Sequence, residues 1–117
     1  MTTSPGVVFG ISGSISAYKS LDIIRKCRSF GLTIVPVLSE SAHRFVTPWS
    51  VSTLAEAPLI EGDMHEGAIT HLMLGDTANL MVVCPASANA MAKLACGMAN
   101  DLLSATVLSF KGTVILF

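Results

Sequence analysis

The sequence predicts an α/β fold with one parallel sheet, and three observations carry that prediction. Short β-branched apolar runs at 7 to 12 and at 33 to 38 ("TIVPVL") are each followed by serines, the pattern of strands buried on both faces. Between them apolar residues recur at helical spacing. A second unit repeats the plan, from "NLMVVCP" at 79 to 85 through two helical stretches to "GTVILF" at the end of the chain.

Each element has a local reason. The first strand runs into the glycine- and serine-rich loop of "VVFGISGSISAYKS" (7 to 20). The helix that follows places Ile15, Tyr18, Leu21, Ile24 and Cys27 on one face and Lys19, Asp22, Lys26 and Ser29 elsewhere, with Gly31 where a helix C-cap belongs. After the second strand the spacing predicts a helix around 41 to 46, a turn at Pro48 and a helical piece through Leu54. Short extended segments are expected near 58 to 60 and 69 to 74. In the second unit helices are expected from Ser87 to Met98 and from Asp101 to Phe110, before the strand at 113 to 117. No repeat, linker or low-complexity segment interrupts the chain, and 117 residues suit one domain.

Composition narrows the function classes. Hydrophobic residues make up 51% of the chain and charged residues 13%, about half the roughly 25% of an ordinary soluble protein. Runs such as "LMVVC" and "TVILF" fall far short of the ~18 apolar residues of a membrane span. "MTTSPG" carries no export signal, so the cytoplasm is the expected compartment. Cys27, Cys84 and Cys96 form no CxxC pair and read as reduced core residues, with no metal site. A net charge of −1 without a basic cluster beyond "RKCR" gives no footprint for nucleic acid. With so little charge to solvate the surface, burial between identical subunits is expected.

The first loop has the physics of an anion site without a dinucleotide fingerprint. Gly10 is followed by Ile11, Ser12, Gly13, Ser14, Ile15 and Ser16, so the Gly-x-Gly-x-x-Gly and Gly-Lys-Ser/Thr patterns both fail. Glu40, near the end of the second strand, therefore has no NAD ribose to grip. What is left is close backbone approach at the glycines, a helix N-terminus and serine hydroxyls, which suit one terminal phosphate. A serine-capped helix start with a tight turn fits the same residues.

The second unit is more specific. In "CPASANAMAKLACGMANDLLS" (84 to 104) a Pro-Ala-Ser-Ala-Asn turn follows a buried strand, then come a helix of small residues and Gly-Met-Ala-Asn-Asp-Leu-Leu-Ser. Together with "GISGSISAYKS" and "HRFVTP" (43 to 48), in the same order along nearly the whole chain, this stretch closely resembles the flavoprotein family of FMN-dependent cysteine decarboxylases. That family includes phosphopantothenoylcysteine decarboxylase of coenzyme A biosynthesis and the decarboxylases of lantibiotic-type peptide precursors.

The resemblance implies a flavodoxin-like (Rossmann-like) three-layer sandwich, FMN as cofactor and a homotrimer or larger assembly, up to a dodecamer, with flavin between neighbouring subunits. It places Gly10, Ser12, Gly13, Ser14 and Ser39 near the phosphate. Pro85, Ala86, Ser87, Ala88 and Asn89 are expected to line the flavin, with Asp101, Leu102, Leu103 and Ser104 close by. Read from the residues alone, 85 to 104 is first of all an Ala-rich packing helix with Asn and Asp as caps. His71, in "GAITHLMLGDTANL", occupies the place of the family's decarboxylation histidine, whereas His43 and His65 do not.

The implied reaction is an oxidative decarboxylation. A cysteine carboxylate has no electron sink for the carbanion that loss of CO2 leaves; hydride transfer from Cβ to the flavin, with loss of the thiol proton, gives a thioaldehyde whose C=S supplies one. The family's Pro-x-Met-Asn segment, its substrate flap and, in the coenzyme A branch, a reductive cysteine would follow the last strand; these 117 residues contain none of them. The chain is thus expected to comprise the FMN-binding domain over 1 to 117 without the C-terminal substrate-binding segment, and to decarboxylate poorly by itself. Flavin prenyltransferases and the flavoprotein subunit of dipicolinate synthase share the general two-loop pattern. A non-catalytic FMN-binding regulatory subunit would lack the histidine.

Overall fold

The computed structural model describes residues 6–59 and 78–117. Strand β1 (Gly6–Ile11) leads to helix α1 (Ala17–Ser29) and strand β2 (Thr33–Leu38), then a 3-10 turn (Glu40–Arg44) and helix α2 (Pro48–Ala55). Strand β3 (Leu80–Val83), helices α3 (Ala88–Ala95) and α4 (Leu102–Ser109), and strand β4 (Thr113–Leu116) complete the described chain. The strands form one parallel sheet in the order β2-β1-β3-β4, with β1 paired to β2 from Gly6 opposite Thr33 and to β3 from Val7 opposite Leu80.

Side-chain alternation along β1 sorts the layers. Val7, Phe9 and Ile11 point to one face and pack with Ile24 of α1 and with Val51 and Ala55 of α2. Val8 points to the other, where Val37, Met81 and Val83 meet Leu102 and Leu103 of α4. Both faces are therefore covered, as unbroken apolar strands require, and the architecture is the expected flavodoxin-like three-layer sandwich. Gly10 lies on the α4 side, where an added Cβ would meet the Leu103 side chain. α1 ends in a Schellman arrangement: Gly31, at φ 85°, donates to the carbonyl of Arg28 and Leu32 to that of Cys27.

Several expectations need correction. Ile15 and Tyr18 are 78% and 57% exposed, whereas Ala17, Ser20 and Ile24 form the buried stripe of α1. The helix starts after Ile15, and small residues at 17 and 20 let it approach the sheet ends closely. Apolar periodicity misses this, because a serine is buried without penalty once its hydroxyl has a partner. The helix expected to reach Met98 ends at Ala95, since Gly97 adopts φ 71° and its amide turns back to Leu94. The piece around 41 to 46 is a 3-10 turn rather than an α-helix. Of the segment near 58 to 60, Pro58 and Leu59 are described and lie in no strand; 69 to 74 lies outside the described residues.

Cys96 is exposed rather than a core residue, while Cys27 is half-buried and Cys84 buried. Burial pushes the Cys84 thiol above its usual pKa; a hydrogen bond with Ser20 opposes this and nearby Cys27 adds to it. A raised pKa leaves less thiolate at mildly alkaline pH. Iodoacetamide at pH 8 is expected to alkylate Cys96 first and Cys84 last, as read by peptide mass spectrometry, and first labelling at Cys84 would contradict the described burial.

Candidate functional site

Two loops at the C-terminal ends of neighbouring parallel strands meet where the strand order reverses, between β1 and β3. Crevices at such switch points are the usual ligand sites of open α/β sheets. Here the crevice has a volume of about 370 Å³, within the range of small-molecule sites. The residues after β1 and β2 contribute Ser12, Ser39, Glu40, Ser41 and Arg44 to its walls; α3 and its N-cap contribute Ser87, Asn89, Ala90, Lys93 and Leu94. Asn100, Asp101, Leu103 and Ser104 close the side formed by the start of α4.

Of the residues expected from the sequence, Ser12, Ser39, Ser87, Asn89, Asp101, Leu103 and Ser104 are thus brought together. Gly10 and Gly13 lie behind the wall. A Cβ on Gly13 would come within 2.9 Å of the Ser41 carbonyl carbon and collide with its side chain, so this glycine lets the first loop touch the 3-10 turn. Ser14, Pro85, Ala86, Ala88 and Leu102 do not line the crevice, although Pro85, Ala86 and Ala88 belong to the turn and helix start that frame it. His71 lies outside the described residues.

Hydrogen bonds separate the groups that build the frame from those left to a ligand. Ser87 caps α3 by accepting from the Ala90 amide, and Ser39 caps the 3-10 turn by accepting from Ala42. Asp101 caps α4: its Oδ1 accepts from the Ser104 amide at 2.7 Å and the Ser104 hydroxyl at 2.6 Å, while Oδ2 lies 3.7 Å from the Lys93 ammonium. Thr47 caps α2 in the same way. Helix α1 is the exception among the described helices, because Ser16 makes no side-chain cap bond. The amides of Gly13 and Ile15 just before it make no hydrogen bond among the described residues. Ser14 turns the loop here, its Oγ accepting from the Ser16 amide, so the two unbonded amides belong to the loop rather than to the first turn of the helix.

Sequence reasoning missed Ser41, Arg44, Ala90, Lys93, Leu94 and Asn100. Two signals were present. Lys93 is the only charged residue of α3, in a helix otherwise made of small and apolar residues plus Asn89. Ser41 and Arg44 are three apart, which in a 3-10 turn puts them on one face. Glu40, which without a glycine fingerprint had no role, also lies in the wall.

A family model described as Flavoprotein matches residues 1–116. The chain belongs to the Flavoprotein family. It is 36% identical over 111 residues to the coenzyme A biosynthesis bifunctional protein CoaBC of Escherichia coli (strain K12), an alignment that covers 92% of this chain and 27% of that protein. To the protein of the same name from Mycolicibacterium smegmatis it is 35% identical over 118 residues, covering 98% of this chain and 28% of the relative. This flavoprotein chain therefore spans little more than a quarter of the length of these curated relatives. Among solved structures, that of the FMN-dependent cysteine decarboxylase SpaF matches with a TM-score of 0.82 at 28% identity, over 96% of this chain and 66% of that one. Among the described residues no cluster of three or more His, Cys, Asp or Glu side chains could hold a metal, and no helix is long and apolar enough to cross a membrane.

Proposed function

We propose that the chain is the FMN-binding part of an enzyme that decarboxylates a cysteine carboxylate. The observation that carries this reading is the crevice at the β1/β3 switch point, walled by Ser12 of the glycine–serine loop and by Ser87, Asn89, Asp101, Leu103 and Ser104 of the second motif. The residues fit a mononucleotide. The hydroxyls of Ser39 and Ser41 and the Arg44 side chain stand in the wall to receive a phosphate, and no second glycine pair is needed for a pyrophosphate. The small residues Ser87 and Ala90, with Leu103 opposite, let a flat ring lie against backbone.

When bound, FMN supplies the oxidising power that gives a cysteine carboxylate an electron sink. The chain's own residues bind and orient: the α3 and α4 walls exclude water from one side, and His71 holds or moves the thiol proton. Identity of 36% to CoaBC, a coenzyme A biosynthesis protein, supports phosphopantothenoylcysteine as substrate, and 28% identity to the cysteine decarboxylase SpaF keeps a peptide cysteine as the second reading. In this reading the enzyme is cytoplasmic and works as a homotrimer or larger assembly. Exposed apolar side chains such as Ile15 at 78% and Trp49 at 82% support burial against another copy.

Titration of the protein with FMN, followed by visible absorbance, tests the reading together with mass spectrometry of substrates. Wild type is expected to bind FMN. In a full-length enzyme that carries the reductive cysteine, phosphopantothenoylcysteine should lose CO2 alone, and a cysteine-terminated peptide would lose CO2 and H2 if the peptide branch applies. His71→Asn is expected to keep the flavin and lower the decarboxylation rate by about 10²-fold or more. A protein that stays colourless in excess FMN overturns the proposal.

A further inference from the structure

The turn that forms the α3 wall, residues 84 to 87, is held only in part by the neighbouring strands. Its polar backbone groups are satisfied from three directions. The Cys84 amide donates to the Gly10 carbonyl of β1 at 2.9 Å, and the Ala86 amide to the Phe117 carbonyl at 2.7 Å. The remaining contacts come from two serines of the first unit. Ser20, fully buried on α1, donates its hydroxyl to the Cys84 carbonyl at 2.6 Å. Ser12, 1% exposed, donates its hydroxyl and its amide to the Pro85 carbonyl, and its Oγ accepts from the Ser87 amide at 2.7 Å.

We propose that Ser12 and Ser20 form a two-hydroxyl clamp that sets where the Cys84–Ser87 turn stands, and that Ser20 is a positioning residue for the flavin wall although it lines no part of the crevice. The Ser12 hydroxyl is already committed as donor to Pro85 and as acceptor to Ser87, so it builds the site rather than donating to a phosphate. Helix α1 carries Ser20 on its buried stripe and follows directly on the loop whose Ser12 lines the crevice. The position of the turn is thus tied to that loop and helix, so that the two walls of the site are set together. Removing the Ser20 hydroxyl leaves the Cys84 carbonyl without this donor, and the turn relaxes. The effect on flavin rests on the FMN reading; the effect on the turn does not.

The test compares wild type, Ser20→Ala, Ser12→Ala and Ser20→Cys, with Ile24→Val as a variant weakened in the same core without loss of a hydroxyl. In the whole protein without FMN, amide hydrogen exchange at Ala86 and Ser87 is expected to rise at least tenfold in both alanine variants, with Val8 and Phe9 of β1 unchanged. FMN affinity is expected to fall about tenfold in Ser20→Ala and less in Ser20→Cys, whose thiol is a weak donor, while Ile24→Val stays within twofold of wild type. Should Ser12→Ala not fold, Ser20→Ala decides alone. Exchange that is unchanged, or that rises equally across the sheet, overturns the clamp, as does an equal loss of affinity in Ile24→Val. A wild type that binds no FMN, with a turn that loosens in Ser20→Ala, overturns the flavin reading and supports the clamp.

Discussion

Replacing Gly13 by alanine is expected to reduce FMN affinity ten- to a hundredfold and to lower stability by about 1–3 kcal/mol, the usual cost of forcing extra volume into a closed contact. The added methyl would sit 2.9 Å from the Ser41 carbonyl carbon, and that atom is backbone. The 3-10 turn must therefore move, carrying Ser41 and Arg44, both part of the crevice wall. Gly31→Ala is the matched comparison: at φ 85° it strains the α1 terminus, yet an added Cβ meets nothing within 4 Å. It is expected to cost about 1 kcal/mol in stability, with FMN affinity unchanged. Isothermal titration and thermal unfolding of the two variants separate the effects, and equal FMN affinities would sink the assignment of Gly13 to the site.

The second large effect is expected at Asp101. Alanine there removes the cap of α4, both bonds to Ser104 and the partner of Lys93, a cation whose side chain is 26% exposed. Loss of such a cap costs about 0.5–2 kcal/mol, and the stranded half-buried cation adds to it. Asp101→Asn keeps a side-chain oxygen for the Ser104 amide and loses only the charge, so it is expected to cost less than half as much. Chemical denaturation measures the difference. If the two variants are equally unstable, the charge pair rather than the cap holds the start of α4.

Much of the fold was legible because buried parallel strands have a simple signature. "TIVPVL" was read as 33 to 38, the span of β2, and the first strand was displaced by one residue. The run at 79 to 85 shortened to four residues, since Cys84 and Pro85 belong to the turn. Helix ends were less legible, because a glycine such as Gly97 terminates α3 through its backbone angle while the apolar pattern runs on. The face of α1 was misread for a different reason: Ile15 and Tyr18 are apolar but exposed, and Ser20 is polar but buried against a carbonyl 64 residues away.

The site divides along the same line. Order along the chain determined by itself that a glycine–serine loop and a Pro-Ala-Ser-Ala-Asn turn follow buried strands, and parallel pairing then obliges both to stand at one edge of the sheet. Only the tertiary structure decided which of their groups are free. Ser12 and Asp101 are committed to neighbours, the Gly13 and Ile15 amides make no hydrogen bond among the described residues, and Arg44, Lys93 and Asn100 reach the crevice from segments whose local sequence records no partner. The physical reason is that periodicity reports which side of an element avoids water, whereas a hydroxyl or carboxylate is defined by the atom it bonds, and that atom is supplied by a distant part of the chain.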